Sequence, residues 1–120
     1  MTRVLVTGAS GFVGGRFIER VRDRPDLAVH GLGRRTRPGP GYTSHDLGTP
    51  LRALSDRAFV PDVVIHAAAR ATPWGSAAEF QRDNVAATQH VIDFCLAHGR
   101  PRLVYVSSSS VFYQDGPQLG

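Results

Sequence analysis

Apolar runs and amphipathic stretches alternate along the first part of the chain. The run Val4 to Thr7 predicts a buried strand, and Phe12 to Arg24 repeats apolar side chains about every fourth position, which predicts a helix that Pro25 ends. The predicted buried face of this helix consists of Phe12, Val13, Phe17, Ile18 and Val21. Glycines lie between the two elements, so the predicted order is strand, glycine-rich turn, helix.

Two further strands and a short helix are predicted next. Leu27 to Gly33 is mostly apolar and predicts the second strand, and Tyr42 to Leu47 predicts a short third strand after a loop rich in proline and glycine. No helix fits between these two strands. Pro50 to Ala58 predicts a short helix, with proline in its first turn and with Leu51 and Leu54 facing inward.

The second half of the chain continues the alternation. Pro61 to His66 contains a β-branched run that is typical of a strand buried on both faces. A helix is predicted from Ser76, which forms a capping-box pattern with Glu79, to about His98. Leu103 to Val106 predicts the fifth strand. Strands that alternate with helices predict an α/β fold with a parallel sheet covered on both faces.

The composition describes one folded domain, which we expect to span residues 1–120. Apolar residues make up 42% and charged residues 20% of the chain, as in globular proteins. The net charge is +4, and all 14 basic residues are arginine. They are scattered along the chain, without a clustered basic face and without interleaved aromatic residues, so nucleic-acid binding is not expected. Cys95 is the single cysteine and lies in an apolar helical pattern, which indicates a buried thiol and excludes an internal disulfide.

The N-terminal residues lack the charged and apolar segments of a signal peptide. No apolar run of the sequence is long enough to span a membrane. We therefore expect a cytoplasmic protein without a membrane partner, and we predict no metal site.

The glycine-rich turn after the first strand is a candidate phosphate site. Gly8 can adopt the backbone conformation that a tight turn needs, Gly11 allows the backbone to approach a pyrophosphate, and Gly14 allows the helix to pack close to the strand. The N–H groups and the positive dipole at the start of the helix favour an anion. This context favours a dinucleotide cofactor over an ordinary glycine-rich turn.

Ligands of open parallel sheets bind at the carboxyl ends of the strands. Unusual residues follow three predicted strands, namely Gly8, Ala67 and Ser107. These strand ends converge if the first, fourth and fifth strands are neighbours, so we expect the site at their common edge.

The end of the second strand indicates which dinucleotide is preferred. An acidic residue that accepts the adenosine ribose hydroxyls is expected there, but the sequence has Gly33, Arg34 and Arg35. Without a carboxylate a 2′-phosphate is not repelled, and two guanidinium groups supply donors for it. The pattern favours NADP, with NAD as the other option, unless Arg34 and Arg35 are solvated loop charges.

Asp46 and Leu47 end the predicted third strand. The carboxylate of Asp46 could accept a hydrogen bond from an adenine amino group while Leu47 packs on the ring. An ordinary turn aspartate explains the same spacing.

Taken together, these motifs resemble a known family. Thr7-Gly-x-x-Gly-x-x-Gly14, Asp46-Leu47, His66-Ala-Ala-Ala69, Asn84-Val85 and the serines that begin at Ser107 resemble the extended short-chain dehydrogenase/reductases. More narrowly, the chain is similar to the NAD-dependent epimerase/dehydratase family and its 3β-hydroxysteroid-dehydrogenase-like branch. The resemblance implies a Rossmann-type doubly wound parallel sheet with strand order 3-2-1-4-5.

The resemblance also implies roles for individual residues. Ser108, three residues before Val111-Phe112, matches the catalytic serine, which would hydrogen-bond a substrate hydroxyl or carbonyl. The implied cofactor-binding residues are Thr7, Gly8, Ser10, Gly11, Phe12, Val13, Gly14, Arg34, Arg35, Asp46, Leu47, Ala67, Ala68, Ala69, Asn84 and Ser107. The implied activity is hydride transfer at a hydroxyl or keto group of a small molecule, steroid-like or nucleotide-sugar-like, by an oxidoreductase or epimerase.

The sequence departs from the family at its proton relay, a Tyr-x-x-x-Lys pair. The chain contains no lysine, and none of its tyrosines has a basic residue four positions later. It also stops at Gly120, before the further strands and the substrate-binding part that the family has. We therefore expect the amino-terminal part of a longer enzyme, inactive alone. The alternative is a non-catalytic NADP-binding sensor or interaction module that pairs through its open fifth strand, with a homodimer as one such pairing.

Overall fold

A computed structural model describes residues 1–36, 40–67, 78 and 81–106 of the chain. Within these residues five strands form one sheet, all of whose neighbours are parallel, in the order β3-β2-β1-β4-β5. The strands are β1 (Thr2–Thr7), β2 (Leu27–Gly33), β3 (Tyr42–Ser44), β4 (Val63–His66) and β5 (Arg102–Tyr105). The predicted parallel sheet and its strand order are confirmed.

Among the described residues, two α-helices of more than two turns lie on opposite faces of this sheet. Helix α1 spans Phe12–Val21, and helix α2 spans Ala87–Ala97 directly after a π-helical segment, Gln81–Ala86. The Ile18 side chain of α1 approaches Gly31 of β2, whereas α2 packs into a cluster with Leu32, the next residue along β2. Because successive residues of a strand point to opposite faces, the two helices cover the two faces.

Helix α2 ends close to the predicted position. Its last residue is Ala97, and Gly99 adopts a φ of 84°, the left-handed conformation that commonly follows a helix. The π-helical segment was not predicted. The predicted capping residues Ser76 and Glu79 lie outside the described residues.

Helix α1 differs from the prediction in its buried face and in its end. Phe12 and Val13 are 79% and 52% exposed, so their assignment to the buried face was wrong. Gly14 is the residue of α1 that is fully buried against the sheet. Phe12 lies about 200° from Gly14 around a helix of 3.6 residues per turn and therefore faces away from the sheet. The helix also ends at Val21, before the predicted Arg24.

The predicted helix from Pro50 to Ala58 is absent, although Leu51 and Leu54 are buried as predicted. The N–H of Ser55 donates to Thr43 Oγ1 at 2.9 Å, and Ser55 Oγ donates to the carbonyl of Tyr42 at 3.0 Å. Side-chain hydrogen bonds of this kind compete with helix formation and tie the segment to β3 instead.

Strand β3 is shorter than the predicted Tyr42 to Leu47, because a turn begins at Asp46. Asp46 Oδ1 accepts the N–H of Gly48 at 2.9 Å, and the Asp46 carbonyl accepts the N–H of Thr49 at 2.9 Å. A side-chain turn of this type ends a strand.

The main core lies between the sheet and α2. Its buried members are Leu5, Leu32, Leu47, Leu51, Leu54, Val64, Ala87, Val91, Phe94 and Cys95. The prediction that Cys95 is buried is confirmed. Among the described residues, neither helix has the length and apolar character that crossing a membrane requires.

Candidate functional site

The turn between β1 and α1 brings the helix start against the strand end. Gly8 has a φ of 67°, and its carbonyl accepts the N–H of Gly11 at 2.9 Å. A Cβ atom at Gly14 would overlap the carbonyl oxygen of Gly8 and lie 2.8 Å from its carbonyl carbon. Glycine at position 14 is therefore required for this approach, because the obstructing atoms belong to the backbone.

Helix α1 begins at this turn without a side-chain cap. Gly11 is the N-cap residue, in an extended conformation with φ of −91°, and no acidic side chain lies in the first turn. The first turn of a helix has N–H groups without intrahelical partners and carries the positive end of the dipole. The arrangement is chemically suited to hold a phosphate group.

The carboxyl ends of β1 and β4 are joined by a buried polar network. His66 Nδ1 lies 2.7 Å from Thr7 Oγ1, and His66 Nε2 lies 3.0 Å from Thr88 Oγ1 of α2. Thr7 Oγ1 also accepts the N–H of Ala67 at 3.0 Å. Burial lowers the pKa of His66 from 6.5 to about 4, so the imidazole is neutral at pH 7. The network therefore holds together the ends of β1 and β4, which Gly8 and Ala67 directly follow.

The strand ends converge as the sequence suggested. Thr7 pairs with His66, and His66 pairs with Tyr105, so β1, β4 and β5 end at one edge of the sheet. The N–H of Val106 donates to the carbonyl of His66 at 3.1 Å. Gly8 and Ala67 follow directly at this edge. Of the predicted residues nearby, Ala68, Ala69, Ser107 and Ser108 lie outside the described residues.

A cleft of about 790 Å³ opens beside the glycine turn on the side of β2. Four residues predicted to bind the cofactor line it: Ser10, Gly11, Phe12 and Arg35. Arg34 and Arg35 are both exposed. The lining also includes Arg16, Thr36 and Tyr42, which the sequence analysis did not select. Tyr42 is recognisable from the sequence only as the start of a strand.

The structure places the remaining predicted residues elsewhere. Asp46 is engaged in the turn described above, and Leu47 is buried in the core, where its carbonyl lies 2.7 Å from His90 Nδ1. Asn84 is half-buried in the π-helical segment. None of these three lines the cleft beside β2. Their contact with a cofactor stays a prediction.

Sequence reasoning did not assign a role to His66 or Thr88. His66 was named only as the first residue of the motif His66-Ala-Ala-Ala69, and Thr88 was not selected. A histidine at the end of an apolar strand is a signal that could have been used, because a buried imidazole needs hydrogen-bond partners on neighbouring elements. The identity of those partners depends on the pairing of β4 with β1, which supplies Thr7, and on the packing of α2, which supplies Thr88.

An open parallel sheet in the order 3-2-1-4-5, with helices on both faces and a glycine-rich turn after its central strand, defines a Rossmann-type α/β protein. The model of the NAD dependent epimerase/dehydratase family matches residues 4–119. The chain belongs to this family.

Individual relatives agree with this assignment. The chain is 35% identical to a 2-alkyl-3-oxoalkanoate reductase of Stenotrophomonas maltophilia, over 93% of this chain and 35% of the relative. It is similar to the structure of MoeE5 in complex with UDP-glucuronic acid and NAD, with 34% identity, a TM-score of 0.74, and coverage of 92% of this chain and 38% of the other. A mutant uronate dehydrogenase from Agrobacterium tumefaciens, complexed with NAD, shares 25% identity with a TM-score of 0.68, over 90% and 41% of the two chains. The chain thus spans little more than a third of the length of these proteins.

Proposed function

We propose that residues 1–120 are an incomplete NAD(P)-binding domain of a cytoplasmic oxidoreductase or epimerase. The observation that carries the proposal is the packing of Gly14 against the Gly8 carbonyl, which brings the uncapped start of α1 to the end of β1. A dinucleotide pyrophosphate is the ligand that this turn suits. The structures of MoeE5 and of the uronate dehydrogenase were both determined with NAD, which supports the choice.

The reaction we propose is hydride transfer at a hydroxyl or keto group of a small molecule. The similar reductase is named for a 2-alkyl-3-oxoalkanoate, which supports a keto substrate, and the structure of MoeE5 contains UDP-glucuronic acid, which supports a nucleotide-sugar-like substrate. A steroid-like substrate rests on the family resemblance alone. Ser108 is the proposed catalytic residue, on the resemblance described above. The 3β-hydroxysteroid-dehydrogenase-like branch rests on the same resemblance.

For the cofactor we propose NADP in preference to NAD. The end of β2 carries Gly33 in place of an acid, and Arg35 lines the adjoining cleft together with Ser10. A guanidinium and a hydroxyl can donate hydrogen bonds to a 2′-phosphate, and no carboxylate at position 33 repels it.

The test is a titration of the purified chain with NADP(H) and NAD(H), followed by cofactor fluorescence and calorimetry. We expect both dinucleotides to bind, with NADPH the tighter. Arg35→Ala should weaken NADPH binding about tenfold, the equivalent of roughly 1.4 kcal/mol, and leave NADH binding almost unchanged. Arg24→Ala is the matched control, because Arg24 is exposed and pairs with Asp26 at 2.7 Å rather than lining the cleft. Failure of both dinucleotides to bind would contradict the proposal.

A second candidate is a non-catalytic NADP-binding module that pairs through β5. Among the described strands β5 has a neighbour on one side only, and its Val104 and Tyr105 are exposed apolar residues. Such an edge can pair with another strand, including that of a second copy. Dimerisation measured by analytical ultracentrifugation would favour the module, whereas cofactor binding without turnover is expected of both candidates. Measurable hydride transfer by the purified chain would exclude it.

A further inference from the structure

The side chain of Tyr42 packs against two glycines of β2. Gly31 and Gly33 are two positions apart and therefore share a face of the sheet. A Cβ atom at Gly31 would lie 3.4 Å from Tyr42 Cδ1, and a Cβ atom at Gly33 would lie 2.7 Å from Tyr42 Oη. The aromatic side chain thus runs from one glycine to the other, toward the carboxyl end of β2.

The hydroxyl end of Tyr42 is held in place. Its O–H donates to the carbonyl of Arg35 at 2.6 Å, and the residue is buried. The Cβ position at Gly33 also lies 2.8 Å from Ser10 Oγ. Two hydroxyl groups therefore converge on the place that the side chain of residue 33 would occupy, at the wall of the cleft that Ser10, Arg35 and Tyr42 line.

This packing has two consequences for a ligand in the cleft. A side chain at position 33 would lie within 2.8 Å of two hydroxyl oxygens, those of Tyr42 and Ser10, so an aspartate there would require both side-chain ends to shift. The hydrogen bond from Tyr42 also fixes the backbone of Arg35, which lines the cleft. The other charged residues of the lining, Arg16, Glu19 and Arg22, lie on or directly after α1.

We propose that Tyr42 is a positioning residue that sets the preference for a 2′-phosphorylated cofactor. Its hydroxyl lies where a side chain of residue 33 would be, and its hydrogen bond holds the Arg35 segment beside Ser10. The guanidinium of Arg35 and the hydroxyl of Ser10 can then donate to a 2′-phosphate in the cleft, whose lining also includes the carboxylate of Glu19. The inference rests on the proposed function, since it concerns the same dinucleotide site.

Tyr42→Phe tests the hydrogen bond while keeping the ring over the glycines. We expect the ratio of NADPH to NADH affinity to fall about three- to tenfold in this variant, with NADH affinity nearly constant. Tyr105→Phe is the matched control, because Tyr105 is exposed on β5 and does not line the cleft, and its ratio should equal that of the wild type. Failure of the wild type to bind either dinucleotide would overturn the proposed function, whereas an unchanged ratio in Tyr42→Phe would overturn only the role of Tyr42.

A second experiment tests the exclusion of the acid. Gly33→Asp alone should lower the thermal unfolding midpoint and weaken both cofactors, because the new side chain meets Tyr42 and Ser10. In the double variant Gly33→Asp, Tyr42→Phe the hydroxyl contact is removed while the buried ring remains, and we expect the unfolding midpoint to recover part of the loss and NADH to bind more tightly than NADPH. If Gly33→Asp alone is as stable as the wild type, or if the double variant keeps the wild-type preference, the inference is wrong.

Discussion

The imidazole of His66 and the hydroxyl of Thr7 lie 2.7 Å apart and join the carboxyl ends of β4 and β1. Both side chains are buried, and the second imidazole nitrogen reaches Thr88 of α2. The two strands that frame the edge of the candidate site are therefore connected to the helix that covers them. Because the histidine is held in its neutral form, the connection depends on pH.

Protonation of His66 should destabilise the fold in mild acid. Burial lowers its pKa from 6.5 to about 4, so between these values the unfolded chain binds a proton that the folded chain does not. The free energy of unfolding should therefore fall as pH falls, by about 2 kcal/mol between pH 7 and pH 5. Urea unfolding at the two pH values measures this difference.

The variant His66→Gln provides the control for the pH effect. It should be less stable at pH 7, because the contacts to Thr7 and Thr88 are altered, but its stability should change much less between pH 7 and pH 5. A smaller dependence in the same direction is expected to remain from His30, whose pKa burial also lowers. An undiminished difference in His66→Gln would contradict the assignment.

A second buried histidine explains how the segment after β3 is held. His30 Nε2 lies 2.7 Å from Thr43 Oγ1, which also accepts the N–H of Ser55. Thr43→Val keeps the shape of the side chain and leaves these groups without their partner, so we expect a loss of about 2 kcal/mol in the free energy of unfolding. Ser44→Ala, at an exposed position of the same strand, should change it by less than about 0.5 kcal/mol. Equal effects in urea unfolding would argue against the network.

The same segment shows where sequence reasoning succeeds and where it stops. Burial of Leu51 and Leu54 was predicted from their apolar character, and it holds, but the helix predicted for them does not form. The conformation of this segment is decided by hydrogen bonds from Ser55 to β3, which a local pattern cannot reveal. In contrast, the parallel sheet was predicted from alternation and the strand order from the family resemblance, and both are confirmed.

At the candidate site, too, some features could be predicted from the sequence and others could not. Glycine spacing predicted the turn between β1 and α1, because the backbone requirement at Gly8 and Gly14 is local in sequence. The exposure of Phe12 follows only once Gly14 is known to face the sheet. The contact of Tyr42 with Gly33 joins two strands, and the register of β3 that creates it could not be derived from composition or periodicity.

The two adjacent glycines of α1 provide a sharp test of the turn. Gly14→Ala places a methyl group against backbone atoms of Gly8, which cannot move aside, so we expect a loss of at least about 3 kcal/mol in stability together with loss of dinucleotide binding. A Cβ atom at Gly15 would lie 3.3 Å from its nearest neighbour, the carbonyl oxygen of Ala9, so Gly15→Ala requires only a shift of a few tenths of an ångström there and should cost much less stability than Gly14→Ala. Thermal unfolding and NADPH titration of both variants measure the contrast, and similar behaviour of the two would contradict the close approach of α1 to β1.

The buried thiol of Cys95 should report the opening of α2. Cys95 is the single cysteine of the chain, it is 6% exposed, and burial raises its pKa. Both effects lower the amount of thiolate that a reagent in solution can reach. Reaction with a disulfide reagent should therefore be at least about 100-fold slower in the folded chain than in urea. This ratio corresponds to a free energy of local opening of roughly 3 kcal/mol. In a Cys95→Ala background, Leu96→Cys places the thiol at a 56% exposed position of the same helix and should react at nearly the unfolded rate. A fast reaction of native Cys95 would mean that α2 does not cover the core as the packing of Phe94 and Val91 implies.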